Sequence, residues 1–306
     1  MSNQHSTEIK SGILFGLSAT LLWGSYPLWY KPLGNIDSWQ LLSWRVLFAE
    51  IFLVLLLFIT SRHKSFFKLL HNVSFKNVAI VSFILGAWWF IYIYGIVTNR
   101  VLEVALGYFI SPIMSMAVSR IVFKEKISAL QYAAMAFAAL GVVLMALHSL
   151  SWTSIPWIPL SVGFCFSFYA IFKKKVSGDL LVVQSLEILL LLPIAVGILG
   201  WVFLQGEGHL FLTNYTVDLL LMATGVITVL PLWWYNIAAK QLPLIMLSFL
   251  QFVTPTCNFL LGIFVYHETL DPYKLVVFMF IWVGVAIFML DAIVKARIKN
   301  RLAASK

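Results

Sequence analysis

Between Lys126 and Lys173 the chain runs for 46 residues without a single Asp, Glu, Lys or Arg. Such a stretch cannot make a water-facing surface, since soluble chains carry about 25 % charged residues. A membrane-spanning helix needs about 20 mostly apolar residues. The segment is therefore long enough to cross twice, with the polar, Pro-containing stretch Ser149–Pro156 as the turn. The rest is of the same kind: 61 % of the 306 residues are apolar and 11 % are charged. That balance excludes a soluble enzyme, and also a disordered chain, which needs low hydrophobicity. An outer-membrane barrel would alternate polar and apolar residues in segments of about 10, and the apolar runs here are far longer. The class is an all-α integral membrane protein.

Ten spans are legible, at 12–30, 38–60, 77–98, 102–122, 128–148, 155–172, 180–204, 216–238, 243–266 and 272–293. The first is too long for the usual signal-peptide core of about 7–15 residues, and no Ala-x-Ala site follows it. The formal net charge is +9, and its distribution sets the orientation. Sixteen Lys and Arg fall on one side: Lys10, Arg62, Lys64, Lys68, Lys76, Lys124, Lys126, Lys173–Lys175, Lys240 and the tail from Lys295. Three fall on the other, Lys31, Arg100 and Lys274. Cytoplasmic loops carry the excess of positive charge, so both termini are expected in the cytoplasm. The 205–215 loop then faces outward, and the Lys173–Lys175 run reads as a topology signal. Cys165 and Cys257 lie in apolar runs and read as small buried hydrophobes.

An offset of 143 residues carries Pro112 onto Pro255, Glu125 onto Glu268 and Gly141 onto Gly284. The fourth span of each half thus has a Pro, then a Glu at its exit, then a Gly midway through the fifth. With five spans per half, the second half enters the membrane upside down. Inverted repeats are a hallmark of secondary transporters, whose substrate site lies near the midplane between the repeats. The expected division is 10–149 for the first repeat, 155–294 for the second and 295–306 for a basic cytoplasmic tail.

Ionisable side chains inside a bilayer are costly and mark a pathway or a pair. Arg45 and Glu50 lie in the second span, Glu187 in the seventh, and Glu103 opens the fourth. Asp218 and Asp291 sit near span ends and are expected to be solvated. Arg45 and Glu50 point about 140° apart on a helix turning 100° per residue, so they do not neutralise each other. Arg45 is left to pair with Glu187 or Glu103, or to grip an anionic group of a substrate bidentately. A protonatable Glu would also couple transport to a proton gradient. Aromatics cluster in the third span (Trp88, Trp89, Tyr92, Tyr94) and the eighth (Trp233, Trp234, Tyr235, beside Asn236), as cavity walls or interfacial belt. Tyr108, Ser111, Gln251, Thr254 and Asn258 flank the helix-kinking Pro112 and Pro255; they either satisfy the freed carbonyls or line a path. The sequence lacks phosphate-binding glycine loops, HExxH, paired Cys/His sets and nucleophile elbows. No catalytic residue, cofactor, metal or nucleic acid is expected.

The segment Leu102-Glu103-Val104-Ala105-Leu106-Gly107-Tyr108-Phe109-Ile110-Ser111-Pro112 resembles the LEASLGYFINP signature of RarD-type proteins. These form part of the EamA family in the drug/metabolite transporter superfamily. Trp44-Arg45-Val46, Thr228 to Pro231, Ala238 to Leu244, Gln251-Phe252, Pro255-Thr256, Glu268 and Phe280-Ile281-Trp282 also fit the pattern, which covers nearly the whole chain. Val104 and Ser111 depart from its Ala and Asn, and Trp88 and Val97 stand where Asn is usual. The resemblance implies ten helices in two inverted five-helix repeats around a central cavity. It implies a bacterial inner-membrane permease for small metabolites or drugs. A monomer or homodimer in the lipid bilayer is expected. The expected path residues are Arg45, Glu50, Trp89, Tyr92, Glu103, Tyr108, Ser111, Glu187, Trp234, Asn236 and Gln251. The rival class, a non-transporting sensor or assembly partner, would need an effector domain or long loop, and the longest loop here is the basic stretch around Ser61–Lys76.

Overall fold

The computed structural model describes residues 2–124, 127–147, 156–173, 176, 178–206, 209, 214–242 and 244–304. Among the described residues no strand occurs; they form thirteen α-helices, a 3-10 turn and a π-helical turn. In chain order these are α1 (Ser2–Gly24), α2 (Tyr26–Tyr30), the 3-10 turn (Lys31–Leu33), α3 (Ser38–Ile59), α4 (His63–Asn72), α5 (Phe75–Val97), α6 (Val101–Phe123), α7 (Ala129–Leu147) and α8 (Trp157–Lys173). Then follow α9 (Leu180–Leu204), α10 (Tyr215–Gln241), α11 (Leu244–Gln251), α12 (Val253–Leu260), the π turn (Leu261–Val265) and α13 (Pro272–Ala304). Among the described residues seven helices are long and apolar enough to cross a membrane: α3, α5, α6, α7, α9, α10 and α13. Asp37 and Asp179 set the starts of α3 and α9, accepting from the amides of Trp39 at 2.8 Å and Leu181 at 3.0 Å.

Several expectations change. The expected first span, 12–30, is two helices meeting at Ser25, where Pro27 opens α2. The ninth is interrupted at Phe252, because Pro255 has no N–H for the carbonyl one turn earlier. Pro112 instead sits inside an unbroken α6, where Ser111 Oγ donates to Tyr108 O at 2.8 Å and takes up the freed carbonyl. The basic stretch Ser61–Lys76 is mostly α4, packed on α9 and tied to its cap by Arg62–Asp179 at 3.2 Å. The described part of the basic tail continues α13 as far as Ala304. Asp218 and Asp291 are buried rather than solvated, with 6 % and 4 % exposure. His209 bonds Asp218 at 2.6 Å, and Ser128 and Lys295 each bond Asp291 at 2.7 Å. Glu125, Lys126, Lys174, Lys175, Pro243, the 149–155 part of the expected turn and most of the 205–215 loop lie outside the described residues.

The packing partners come in matching sets. α6 lies on α8 and α1 on α12; α3 lies on α10 and α5 on α9; α1 lies on α10 and α5 on α8. Shifting by 143 residues turns one member of each set into the other. α7 and α13 pack on each other at one edge. There a Cβ on Gly141 would come within 3.2 Å of Val277 O and 2.9 Å of the Ile281 side chain. A Cβ on Gly284 would come within 2.9 Å of Ala134 O and 3.4 Å of Ala138 N. Ala134 and Ala138 map onto Val277 and Ile281 under the same shift, so the two contacts are one contact seen from both sides. Small residues let membrane helices approach this closely, and association then rests on packing rather than on a hydrophobic driving force.

Gly141→Leu and Gly284→Leu are each expected to lower stability by about 1–3 kcal/mol, the usual cost of overpacking. Gly197→Leu, at a position with nothing within 4 Å, is expected to be neutral. Thermal unfolding of purified protein in detergent, followed by size-exclusion survival, reads the difference.

Candidate functional site

A cavity of about 490 Å³ opens between α1, α3, α5, α6, α8, α10 and α12, within the common range for small-molecule sites of about 300–1,000 Å³. Its lining includes Arg45, Trp89, Tyr92, Tyr108, Ser111, Pro112 and Gln251. Glu50, Glu103, Glu187, Trp234, Asn236 and Pro255 are outside that lining. Trp23, Trp88, Phe166, Tyr169, Lys173, Gln184 and Thr228 join it.

At one end stands Arg45, 3 % exposed. Its Nε donates to Thr228 Oγ1 at 3.0 Å. Its guanidinium lies 4.0 Å from the Trp89 ring centroid, 5.4 Å from Tyr26 and 5.7 Å from Tyr30. An arginine keeps its charge under all ordinary conditions, and a desolvated cation–π contact supplies about 2 kcal/mol. Burying an ion costs several kcal/mol even after relaxation, so the rings alone leave the charge underpaired. Neither expected carboxylate reaches it. Glu103 is taken by Arg100, at 2.6 and 2.7 Å, and Glu187 by Lys173, at 3.1 Å. Glu50 sits between α3 and α9 and accepts from Ser185 Oγ at 2.7 Å.

At the other end Lys173, Tyr169, Gln184 and Glu187 form one buried network. Lys173 Nζ donates to Tyr169 Oη, to Gln184 Oε1 at 3.0 Å and to Glu187 Oε2. Glu187 also accepts from Tyr169 Oη at 2.9 Å and is wholly enclosed. The topology reading of Lys173 therefore misses its role: the side chain is 15 % exposed and closes an ion pair across α8 and α9. Available signals were the four-residue spacing of Tyr169 and Lys173 and the three-residue spacing of Gln184 and Glu187, each of which puts two polar groups on one helix face.

A run of aromatic rings joins the two ends. Tyr26 meets Tyr92 edge-on at 5.8 Å, and Tyr92 meets Tyr108 at 5.8 Å. Tyr108 meets Trp88 at 6.0 Å, and Trp88 meets Tyr169 at 5.8 Å and Phe166 at 5.2 Å. Trp88, one of the third-span aromatics expected as cavity wall or interfacial belt, is the centre of this wall. Two polar tips on it, Tyr92 Oη and Trp88 Nε1, are buried without a hydrogen-bond partner.

Among the described residues the cavity lining is exposed at one end and buried at the other. Ala170, Leu180 and Gln251 are exposed, whereas Tyr26, Arg45, Trp89, Tyr92 and Thr228 are buried. Beyond Arg45 the fully buried Tyr30, Leu33, Leu41, Ile96 and Val101 fill the space. Glu268 fastens this closed end, its carboxylate accepting from the amides of Val101 at 2.7 Å and Leu102 at 2.9 Å. A carboxylate on the first amides of a helix also meets the positive end of its dipole. Lys31 reaches Ile96 O at 2.9 Å and Asn99 Oδ1, with the Tyr266 ring 5.4 Å away. Burial pushes the Lys31 ammonium below its usual pKa, and the Glu268 carboxylate pulls it back up.

The sequence matches the EamA-like transporter family over residues 10–147. An uncharacterized transporter of Vibrio cholerae serotype O1 (strain ATCC 39315 / El Tor Inaba N16961) is 32 % identical over 287 residues, covering 94 % of this chain and 94 % of its own length. Protein RarD of Escherichia coli (strain K12) is 32 % identical over 294 residues, covering 95 % of this chain and 97 % of its own. A solved crystal structure of a protein shares the fold at 14 % identity with a TM-score of 0.54, covering 91 % of this chain and 96 % of that one. With relatives at this identity along almost its whole length, this multi-pass membrane chain belongs to the EamA-like transporter family, as a RarD-type member.

Proposed function

We propose that the protein is a secondary transporter moving a small metabolite, amino-acid-like or drug-like, across a bacterial inner membrane by alternating access. In this reading it is not an enzyme, and its ten spans form two inverted five-helix repeats, 10–149 and 155–294. Both termini and the basic segment 295–306 lie in the cytoplasm. The observation that carries the reading is a polar-ended cavity between the two halves, open at one end and packed shut at the other. The matching helix pairs and the twofold Gly141–Gly284 contact support the inverted repeat. The charge distribution supports a cytoplasmic position for the open Lys173 end, and in this reading the conformation is inward-open. Rocking one repeat against the other about the site would open the far end. Glu268 is then an outer latch, because it belongs to the second half and caps a helix of the first. Glu187 is the group assigned to proton coupling. It is the carboxylate bonded to a cavity-lining lysine, and protonating it would release that lysine.

Uptake of a labelled metabolite panel into proteoliposomes tests the function. Saturable accumulation that needs an imposed pH gradient is expected. Glu187→Gln is expected to abolish the accumulation while leaving gradient-free exchange. Absence of saturable movement across the panel would overturn the transport reading, and accumulation that ignores the gradient would return Glu187 to a structural pair.

The latch is tested with Leu232→Cys, a partly exposed cavity position, in a Cys165→Ala/Cys257→Ala background. A membrane-impermeant maleimide should label it from the Lys173 side. Adding Glu268→Gln should raise labelling from the Lys31 side severalfold; no change would remove Glu268 from the gate.

A further inference from the structure

We infer that the cavity selects a monoanion, a small molecule with one carboxylate or comparable anionic group on a planar apolar body, rather than a zwitterion or a cation. The inference rests on the transporter reading for its setting and narrows the substrate class of that site. It follows from the charges that line the cavity. Two cationic side chains do so, Arg45 and Lys173, and among the described residues no Asp or Glu does. Lys173 is already compensated by Glu187 at 3.1 Å. Arg45 is not: its Nε donates to a neutral hydroxyl, and its other described neighbours are the neutral aromatic residues Trp89, Tyr26 and Tyr30. The cavity therefore carries one uncompensated positive charge at its buried, closed end. The guanidinium fork matches a carboxylate bidentately, and the unpartnered Tyr92 hydroxyl lines the same space.

The rest of the cavity suits an apolar, planar body. The walls between the two cations are Trp88, Tyr108, Phe166 and Tyr169, meeting one another edge-on or tilted. An amino acid would bring an ammonium group, and the lining offers it no carboxylate. The ring faces best placed to receive a cation near Arg45, those of Trp89 and Tyr26, already carry the guanidinium. A carboxylate loses none of its partners to that arrangement; an ammonium is left with neutral acceptors and ring faces, beside an uncompensated guanidinium and with no counter-ion in the described lining.

The test compares four tritium-labelled probes of one skeleton by scintillation-proximity binding to the full-length protein in detergent: 3-phenylpropionate, 3-phenylpropionamide, phenylalanine and phenethylamine. 3-Phenylpropionate is expected to bind at least about tenfold more tightly than each of the others, a difference of about 1.4 kcal/mol. Equal binding of the amide, tighter binding of phenylalanine or phenethylamine, or no measurable binding of the acid at millimolar concentration would overturn the inference. These arms need no variant, so they hold even if a change at Arg45 impairs folding. As a second measurement, Arg45→Lys should keep the preference for the acid and Arg45→Gln should level the acid and the amide. A surviving preference in folded Arg45→Gln would also overturn it. Because the readout is binding, tight 3-phenylpropionate binding without uptake would sink the transport reading alone. Saturable uptake of phenylalanine with no acid binding would sink this inference alone.

Discussion

A charge that cannot reach water must be met by something else, and much of this structure is an answer to that requirement. Among the described residues five buried charged side chains meet it in different ways, Asp218 through His209. Glu187 is held by a lysine and a tyrosine, Asp291 by a serine and a lysine, and Glu50 by one serine hydroxyl. Arg45 has aromatic faces and a threonine. For Glu187, Glu50 and Arg45 a second helix supplies the partner, so the requirement fixes which helices face one another. Glu187 ties α9 to α8, Glu50 ties α3 to α9, and Arg45 ties α3 to α10. Arg45 alone is left short of an anion, and it is the one that lines the cavity.

The same economy governs the proline sites. Pro112 and Pro255 are equivalent in sequence spacing, but their helices differ. A neighbouring serine hydroxyl satisfies the carbonyl freed by Pro112, and α6 continues through it. The helix around Pro255 breaks at Phe252 instead and ends in a π turn. The closed end of the cavity depends on that second region, since Glu268 follows the π turn and caps α6. A kink in one half is thus coupled through one carboxylate to a helix start in the other.

Much of the fold is legible without coordinates, because a bilayer imposes a length and a polarity on each segment. Charge-free runs mark the helices, lysines mark the loops, and Pro112/Pro255 with Gly141/Gly284 mark the offset. Boundaries are less legible where the chain meets the interface. Pro27 divides the first span, and α4 hides in a basic stretch, because local proline chemistry and amphipathicity act there without a long apolar run. At the site, Arg45, Trp89, Tyr92, Tyr108, Ser111 and Gln251 stand out as polar or amphipathic groups in apolar surroundings, and they lie together. Glu50 and Glu103 stand out by the same rule and lie elsewhere, since the rule detects the cost of burial and not its location. Lys173 is missed because a lysine at a helix end normally reaches water, and only α9 laid across it prevents that.

The sequence by itself determined that this chain lives in a membrane, how its segments alternate and which side chains must find partners. Those follow from solvation, which each residue carries with it. Only the tertiary structure decided who the partners are. Glu187 goes to Lys173, Glu50 to Ser185, and Arg45 to Thr228 rather than to a carboxylate, because pairing depends on how separate helices dock. The open direction of the cavity was decided in the same way, by the packing of Tyr30, Leu33, Leu41, Ile96 and Val101 beyond Arg45. Contacts between residues so distant in the chain have no signature in local composition.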